Sequence, residues 1–106
     1  MVIKHTTSGD NCIEADNLGA NPIATPRSNP TISNLTCITS STQKSSGHAF
    51  ELKAGTAMQM YNSVVGGVIE STEGCILIAG DATFSQSGSS AATLNGTLKM
   101  ERSYIT

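Results

Sequence analysis

Apolar and polar side chains alternate with a period of two in three short segments, at residues 11–16, 48–55 and 74–80. This alternation is typical of a β-strand with one buried face. Alignment of the three segments predicts two inward columns and one outward column between them. The first inward column holds Ile13, Phe50 and Ile76, the second holds Ala15, Leu52 and Ile78, and the outward column holds Glu14, Glu51 and Leu77.

A second pattern lies between these segments. Residues 31–37 resemble residues 59–65, with Asn34 and Asn62 at the same place, and a weaker third copy has Gln86 there. Asparagine tolerates the left-handed backbone that a sharp bend between two strands needs. Identical amides stacked on one another can also form a hydrogen-bonded ladder. Two kinds of short strand therefore alternate, with a period of roughly 24 to 28 residues, which is typical of a solenoid.

We therefore predict an all-β protein, a short right-handed parallel β-helix of three to four coils with an irregular C-terminal capping segment. A single domain is expected over residues 1–106. Residues 1–10 lead into the first coil, residues 11–84 form the repeating coils, and residues 85–106 form a loop followed by a terminal strand or cap.

The segment Ala57–Glu70 has an alternative interpretation, because its apolar residues also fall at helical spacing. The pair Gly66-Gly67 and the β-branched residues disfavour a helix there. The similarity to residues 31–37, which have no helical character, also favours strands.

Composition supports strands joined by polar turns. Only 13% of residues are charged, and Ser, Thr, Asn and Gly take their place.

The net charge is −2 and the six basic residues are scattered, which argues against a nucleic-acid partner. No apolar run approaches the roughly 20 residues that span a bilayer, so no membrane partner is expected. The first ten residues lack the apolar core of a signal peptide, and as written the chain is expected to be cytoplasmic.

The cysteine and histidine residues do not indicate a metal or cofactor site. Cys12, Cys37 and Cys75 are odd in number and lack the C-x-x-C spacing, so small buried or half-buried thiols are expected. His48 precedes a strand and is expected to be a solvated turn residue. Ligand pairs for zinc normally lie two to four residues apart, and none is present.

The segments Ala24–Asn34, Phe50–Thr56 and Met60–Val65 resemble coils of large secreted bacterial surface proteins that carry a pectate-lyase-like β-helix. The resemblance covers residues 9–83, and the chain resembles a short excised piece of such a protein. It implies the fold and, for the relatives, a secreted or cell-surface location. It assigns no chemistry.

The candidates for chemistry are Glu14, Glu51 and Lys53 on the outer face, with Asp16 and Asp81 at turns. A glycosidase needs two carboxylates about 5 to 9.5 Å apart, and outward residues on adjacent coils are about 5 Å apart. Outward strand positions are commonly charged for structural reasons, so no residue is assigned as catalytic. For a lyase, the resemblance implies a calcium cluster and an arginine base, and neither Arg27 nor Arg102 is obviously placed for that role.

The sequence therefore predicts a non-catalytic structural or binding β-solenoid module. Its Ser-, Thr- and Asn-rich surface could hydrogen-bond a carbohydrate, but the aromatic residues on which sugars stack are nearly absent. A short stack exposes much of its core at the ends, so a homo-oligomer through coil ends or edges is expected. The alternative is the remnant of a carbohydrate-active enzyme, a polysaccharide lyase or hydrolase that uses the outer sheet face.

Overall fold

The computed structural model describes residues 1–5, 10–39, 48–67, 75–86 and 97–106. Short strands and one short helix make up the regular structure of these ranges. In chain order they are β1 (Val2–Lys4), β2 (Ile13–Ala15), β3 (Thr31–Ser33), β4 (Thr36–Thr39), β5 (Phe50–Leu52), β6 (Gln59–Tyr61), β7 (Val64–Gly67), β8 (Ile76–Ile78), α1 (Asp81–Phe84), β9 (Lys99–Glu101) and β10 (Tyr104–Ile105).

The strands form three parallel sheets. Sheet A has the order β1-β4-β7-β10, sheet B the order β2-β5-β8, and sheet C the order β3-β6-β9. Every third strand therefore returns to the same sheet, and three strands make one coil. The described strands build three coils and the first strand of a fourth, which confirms the predicted short parallel β-helix.

The strand register of sheet B agrees with the predicted columns. Ile13 pairs with Phe50 and Phe50 with Ile76, while Ala15 pairs with Leu52 and Leu52 with Ile78. Phe50 is 0% exposed and Leu52 is 1% exposed, so both columns point inward. The core is completed by inward residues of the other two sheets and of the turns, chiefly Leu35, Cys37, Met58, Met60, Val65 and Leu98.

The bend between sheets C and A has the predicted asparagines in the left-handed conformation. The φ angles are 56° at Asn34 and 50° at Asn62, and Asn62 Nδ2 donates to Asn34 Oδ1 over 2.6 Å. The third copy proposed at Gln86 is wrong. Its segment overlaps α1, and the third bend is made by Arg102, with a φ of 50°. The third coil is longer than the first two, which hides this copy from a fixed-period alignment.

The C-terminal part is more regular than the sequence indicates. β9 pairs in parallel with β6, and β10 pairs in parallel with β7, so both strands continue the stack. At the other end, β1 within the expected lead-in already pairs with β4 in sheet A. The helical alternative is wrong over the described residues 57–67, which contain β6 and β7. The remaining residues 68–70 of that segment lie outside the described residues.

Each coil also contributes a third kind of strand, which lies in sheet A. The repeat of two strands inferred from the sequence is therefore wrong. β4 and β7 follow the asparagine bends so closely that the sequence pattern merges them with β3 and β6. Their inward residues Cys37 and Val65 are fully buried. Their outward residues are partly apolar, so a polar–apolar alternation is weak there.

An insertion of the first coil, residues 18–28, packs against the second coil. The side chain of Asn17 holds it together: Nδ2 donates to the carbonyl oxygens of Pro22 (3.2 Å) and Ala24 (3.0 Å), and Oδ1 accepts from Ser28 N (2.8 Å). Arg27 Nη1 donates to Gly55 O over 2.7 Å. Arg27 therefore joins two coils.

Two of the three cysteines are not thiols, contrary to expectation. Cys12 and Cys37 form a disulfide across 25 residues of sequence, with their Cα atoms 6.3 Å apart. Cys75 is free and half-buried, and burial raises the pKa of its thiol. The pairing depends on coil geometry, which residue spacing does not reveal.

Candidate functional site

The three candidate residues of the outer face lie together on sheet B. Glu14 of β2 and Glu51 of β5 are in register on adjacent strands, and Lys53 follows β5 directly. Because strand side chains alternate with a period of two, Glu51 and Lys53 project to the same side. Lys53 Nζ lies 2.7 Å from Glu14 Oε1 and 3.0 Å from Glu51 Oε1. One ammonium therefore bridges the carboxylates of two coils.

Asn11 is a fourth member of this site, and sequence reasoning missed it. Its Nδ2 donates to Glu51 Oε2 over 2.9 Å, and its Oδ1 accepts from the backbone N–H of His48 over 3.0 Å. Both carboxylate oxygens of Glu51 therefore accept a hydrogen bond. Strand alternation gave no signal for it, because Asn11 lies two residues before the inward Ile13 and would by that pattern also point inward. We call Asn11, Glu14, Glu51 and Lys53 the carboxylate cluster.

The contacts of the carboxylate cluster favour the ionised forms of Glu51 and Lys53. The hydrogen bond from Lys53 is the main cause that lowers the pKa of Glu51 from 4.5, and the Asn11 bond adds to it, while burial acts in the opposite direction. The bonds to Glu14 and then Glu51 raise the pKa of Lys53. A general acid in glycoside hydrolysis needs a raised carboxyl pKa. Glu51 is shifted the other way and is a poor proton donor at neutral pH.

The comparison with known families extends over nearly the whole chain. The family model described as pectate-lyase-like beta helix domain matches residues 1–105. The chain belongs to this family. No curated protein and no solved structure matches it. The matched range includes every described strand of this pectate-lyase-like β-helix domain, so the match concerns the fold as a whole.

The remaining candidates of this pectate-lyase-like β-helix domain do not join the carboxylate cluster. Asp16 is exposed just after β2, and Asp81 is exposed at the start of α1. Arg27 binds the backbone of Gly55, and Arg102 makes the third bend. The cluster therefore consists of one bridged pair of carboxylates with an amide beside it, and no arginine.

His48 corrects another expectation. His48 is 1% exposed, so it is a buried residue and not a solvated turn histidine. Its backbone N–H positions Asn11, as described above. Within the described ranges, no three His, Cys, Asp or Glu side chains are grouped so that they could hold a metal ion. No helix in the same ranges has the length and apolar character needed to cross a bilayer.

The carboxylate cluster predicts a specific pH dependence. A lowered folded-state pKa means that Glu51 contributes stability above its unfolded-state pKa, and that this contribution is lost as the pH falls through the folded-state value, below 4.5. Urea unfolding should show wild type more stable than Glu51→Gln at pH 7. The difference should shrink as the pH is lowered from 5 to 3. A difference that stays constant over this interval would contradict the assigned charge state.

Proposed function

We propose that this pectate-lyase-like β-helix domain is a non-catalytic structural module that self-associates through the edge of sheet A. The carboxylate cluster supports a structural role, because its charges bind one another across two coils. Glu51 has both oxygens occupied, and Lys53 contacts both carboxylates. The cluster joins β2 to β5 in the way that cross-strand ion pairs stabilise a sheet.

The observation that carries the self-association is the concentration of exposed apolar side chains on sheet A. Among the described residues, nine large hydrophobic side chains are exposed. Six of them belong to sheet A or directly adjoin it: Met1, Val2, Ile38, Val64, Tyr104 and Ile105. Clustered apolar surface of this kind marks an interaction site more often than scattered single residues do.

The edge strand β10 is the favoured contact. Tyr104 is 64% exposed, and Ile105, which continues the inward column of Cys37 and Val65, is still 37% exposed. An exposed edge strand offers backbone groups to another strand. Pairing of two β10 strands by a two-fold axis gives a closed dimer.

A head-to-tail contact of β10 with β1 fits the sheets less well. Among the described residues, sheet A has four strands, and sheets B and C have three each. If β10 of one copy paired with β1 of the next, two strands of sheet A would follow each other. Sheets B and C would then each lack one strand between the two copies. Because β10 contains only two residues, we expect a weak dimer that depends on concentration.

The test is light scattering coupled to size-exclusion chromatography over the widest concentration range that solubility allows. Wild type should shift from monomer towards dimer, and Ile105→Lys should remain monomeric. Ile23→Lys is the matched control, since Ile23 is an exposed apolar residue of the insertion, away from sheet A, and this variant should dimerise as wild type does. Monomeric wild type at every concentration would overturn the proposal. Loss of the dimer in Val2→Lys as well would overturn the β10–β10 contact in favour of the head-to-tail contact.

The second candidate function is the remnant of a carbohydrate-active enzyme. It is favoured by the two carboxylates of the outer face, which both bind Lys53 and therefore lie close together. The lowered pKa of Glu51 disfavours it. Release of reducing ends or unsaturated products from soluble polysaccharides, lost in Glu51→Gln and Glu14→Gln, would replace the structural proposal by this one.

A further inference from the structure

The disulfide closes one complete circuit of the solenoid. Cys12 immediately precedes β2 of sheet B, and Cys37 lies in β4 of sheet A. The 25-residue separation between them contains β2, the insertion and β3. The chain therefore leaves Cys12, passes through sheets B and C, and returns to Cys12 through a covalent bond from sheet A. The backbone hydrogen bonds of the sheets join neighbouring coils, so they do not close a ring of this kind.

Several apolar side chains of the first circuit, residues 12–37, are small or exposed. Its inward residue Ala15 is much smaller than Leu52 and Ile78, which occupy the same column in the next two coils. Its insertion adds length and buries little, since Leu18 and Ile23 are exposed. Ordering a long segment costs much conformational entropy, and burial of a few small apolar side chains offsets little of that cost. A covalent ring removes much of that entropy from the unfolded chain.

We propose that Cys12–Cys37 is a redox-dependent lock, which keeps the first circuit stacked on the second coil and requires an oxidising compartment to form. Two thiols lose two protons and two electrons, and the electrons reduce the disulfide of a thiol–disulfide exchange partner to a dithiol. Cys37 is 0% exposed and Cys12 is half-buried, so the exchange partner reaches the pair through the sulfur of Cys12. Structural disulfides are rare where thiol reductants are abundant. The lock therefore favours a site of action outside the reducing cytoplasm, in contrast to the location expected from the N-terminal residues.

Cys75 provides an internal control for the lock. It directly precedes Ile76 as Cys12 precedes Ile13, and these two strands are separated by β5. Cys75 is thus two strands from Cys12, about 10 Å along the stack, which is beyond the reach of a disulfide. Cys75→Ser removes a thiol without touching the ring.

Hydrogen–deuterium exchange with mass spectrometry on the full chain tests the lock. After reduction of the folded wild type, and in Cys37→Ser, amides of residues 13–33 should exchange roughly tenfold faster or more. Amides of β6 and β7 should change little, and Cys75→Ser should match oxidised wild type. Equal exchange of residues 13–33 before and after reduction would overturn the lock, and because that measurement uses folded wild type, it does not depend on the variant folding.

Thiol counting under denaturing conditions tests the redox requirement separately. Protein produced in an oxidising compartment should contain one reactive thiol, from Cys75, and protein produced in a reducing cytoplasm should contain three. Three thiols from both sources would overturn the proposal. One thiol from both sources would retain the ring and overturn the dependence on compartment.

Discussion

Leu52→Asp is expected to unfold this pectate-lyase-like β-helix domain. Leu52 is 1% exposed and lies in the inward column between Ala15 and Ile78. Aspartate there would lose the apolar contacts and place a carboxylate in the core without a partner. The expected loss is about 4 to 5 kcal/mol or more, which is comparable with the whole stability of many small domains. Circular dichroism with urea unfolding measures it directly.

Leu77→Asp is the matched control on the neighbouring strand. Leu77 pairs with Glu51 in the outward column and is half-buried. Its replacement keeps the carboxylate in contact with water, and the expected loss is about 1 kcal/mol or less. Similar losses in Leu52→Asp and Leu77→Asp would mean that the inward and outward faces of sheet B are assigned incorrectly.

The second large effect is expected for Gly55→Ala, at the contact between the insertion and the second coil. Gly55 has a φ of 82°, and a Cβ atom added there would lie 2.0 Å from the carbonyl oxygen of Pro22. The Gly55 carbonyl also accepts the bond from Arg27, so the insertion has little freedom to move away. Backbone strain and overlap together should cost about 3 kcal/mol or more in free energy of unfolding.

Gly80→Ala separates the two causes. Gly80 has nearly the same φ, 83°, but an added Cβ would meet no atom within 4 Å. With a ψ of 144° Gly80 lies outside the left-handed helical region, and only the backbone cost of about 1 to 3 kcal/mol is expected. If Gly80→Ala were as destabilising as Gly55→Ala in urea unfolding, the close approach of Pro22 would have no energetic consequence, contrary to the structure.

Several features of the carboxylate cluster followed from local alternation. A period of two assigns Glu51 and Lys53 to the outer face, and alignment of β2 with β5 places Glu14 beside them. The amide of Asn11 was missed because Asn11 precedes β2 and does not follow the alternation of that strand, which would direct it inward. The burial of His48 was missed because it was interpreted as a polar turn residue, although it lies two residues before the inward Phe50 and follows the same alternation.

The sequence by itself determined the inward columns of sheet B and the left-handed bends at Asn34 and Asn62, because side-chain alternation and backbone preference are local properties. Tertiary structure alone decided which cysteines pair, that Arg102 makes the third bend, and that sheet A carries the exposed apolar edge. Loops between coils can lengthen at a cost that grows only with the logarithm of their length. The spacing of the coils is therefore variable, and only the stacked chain shows which residues meet.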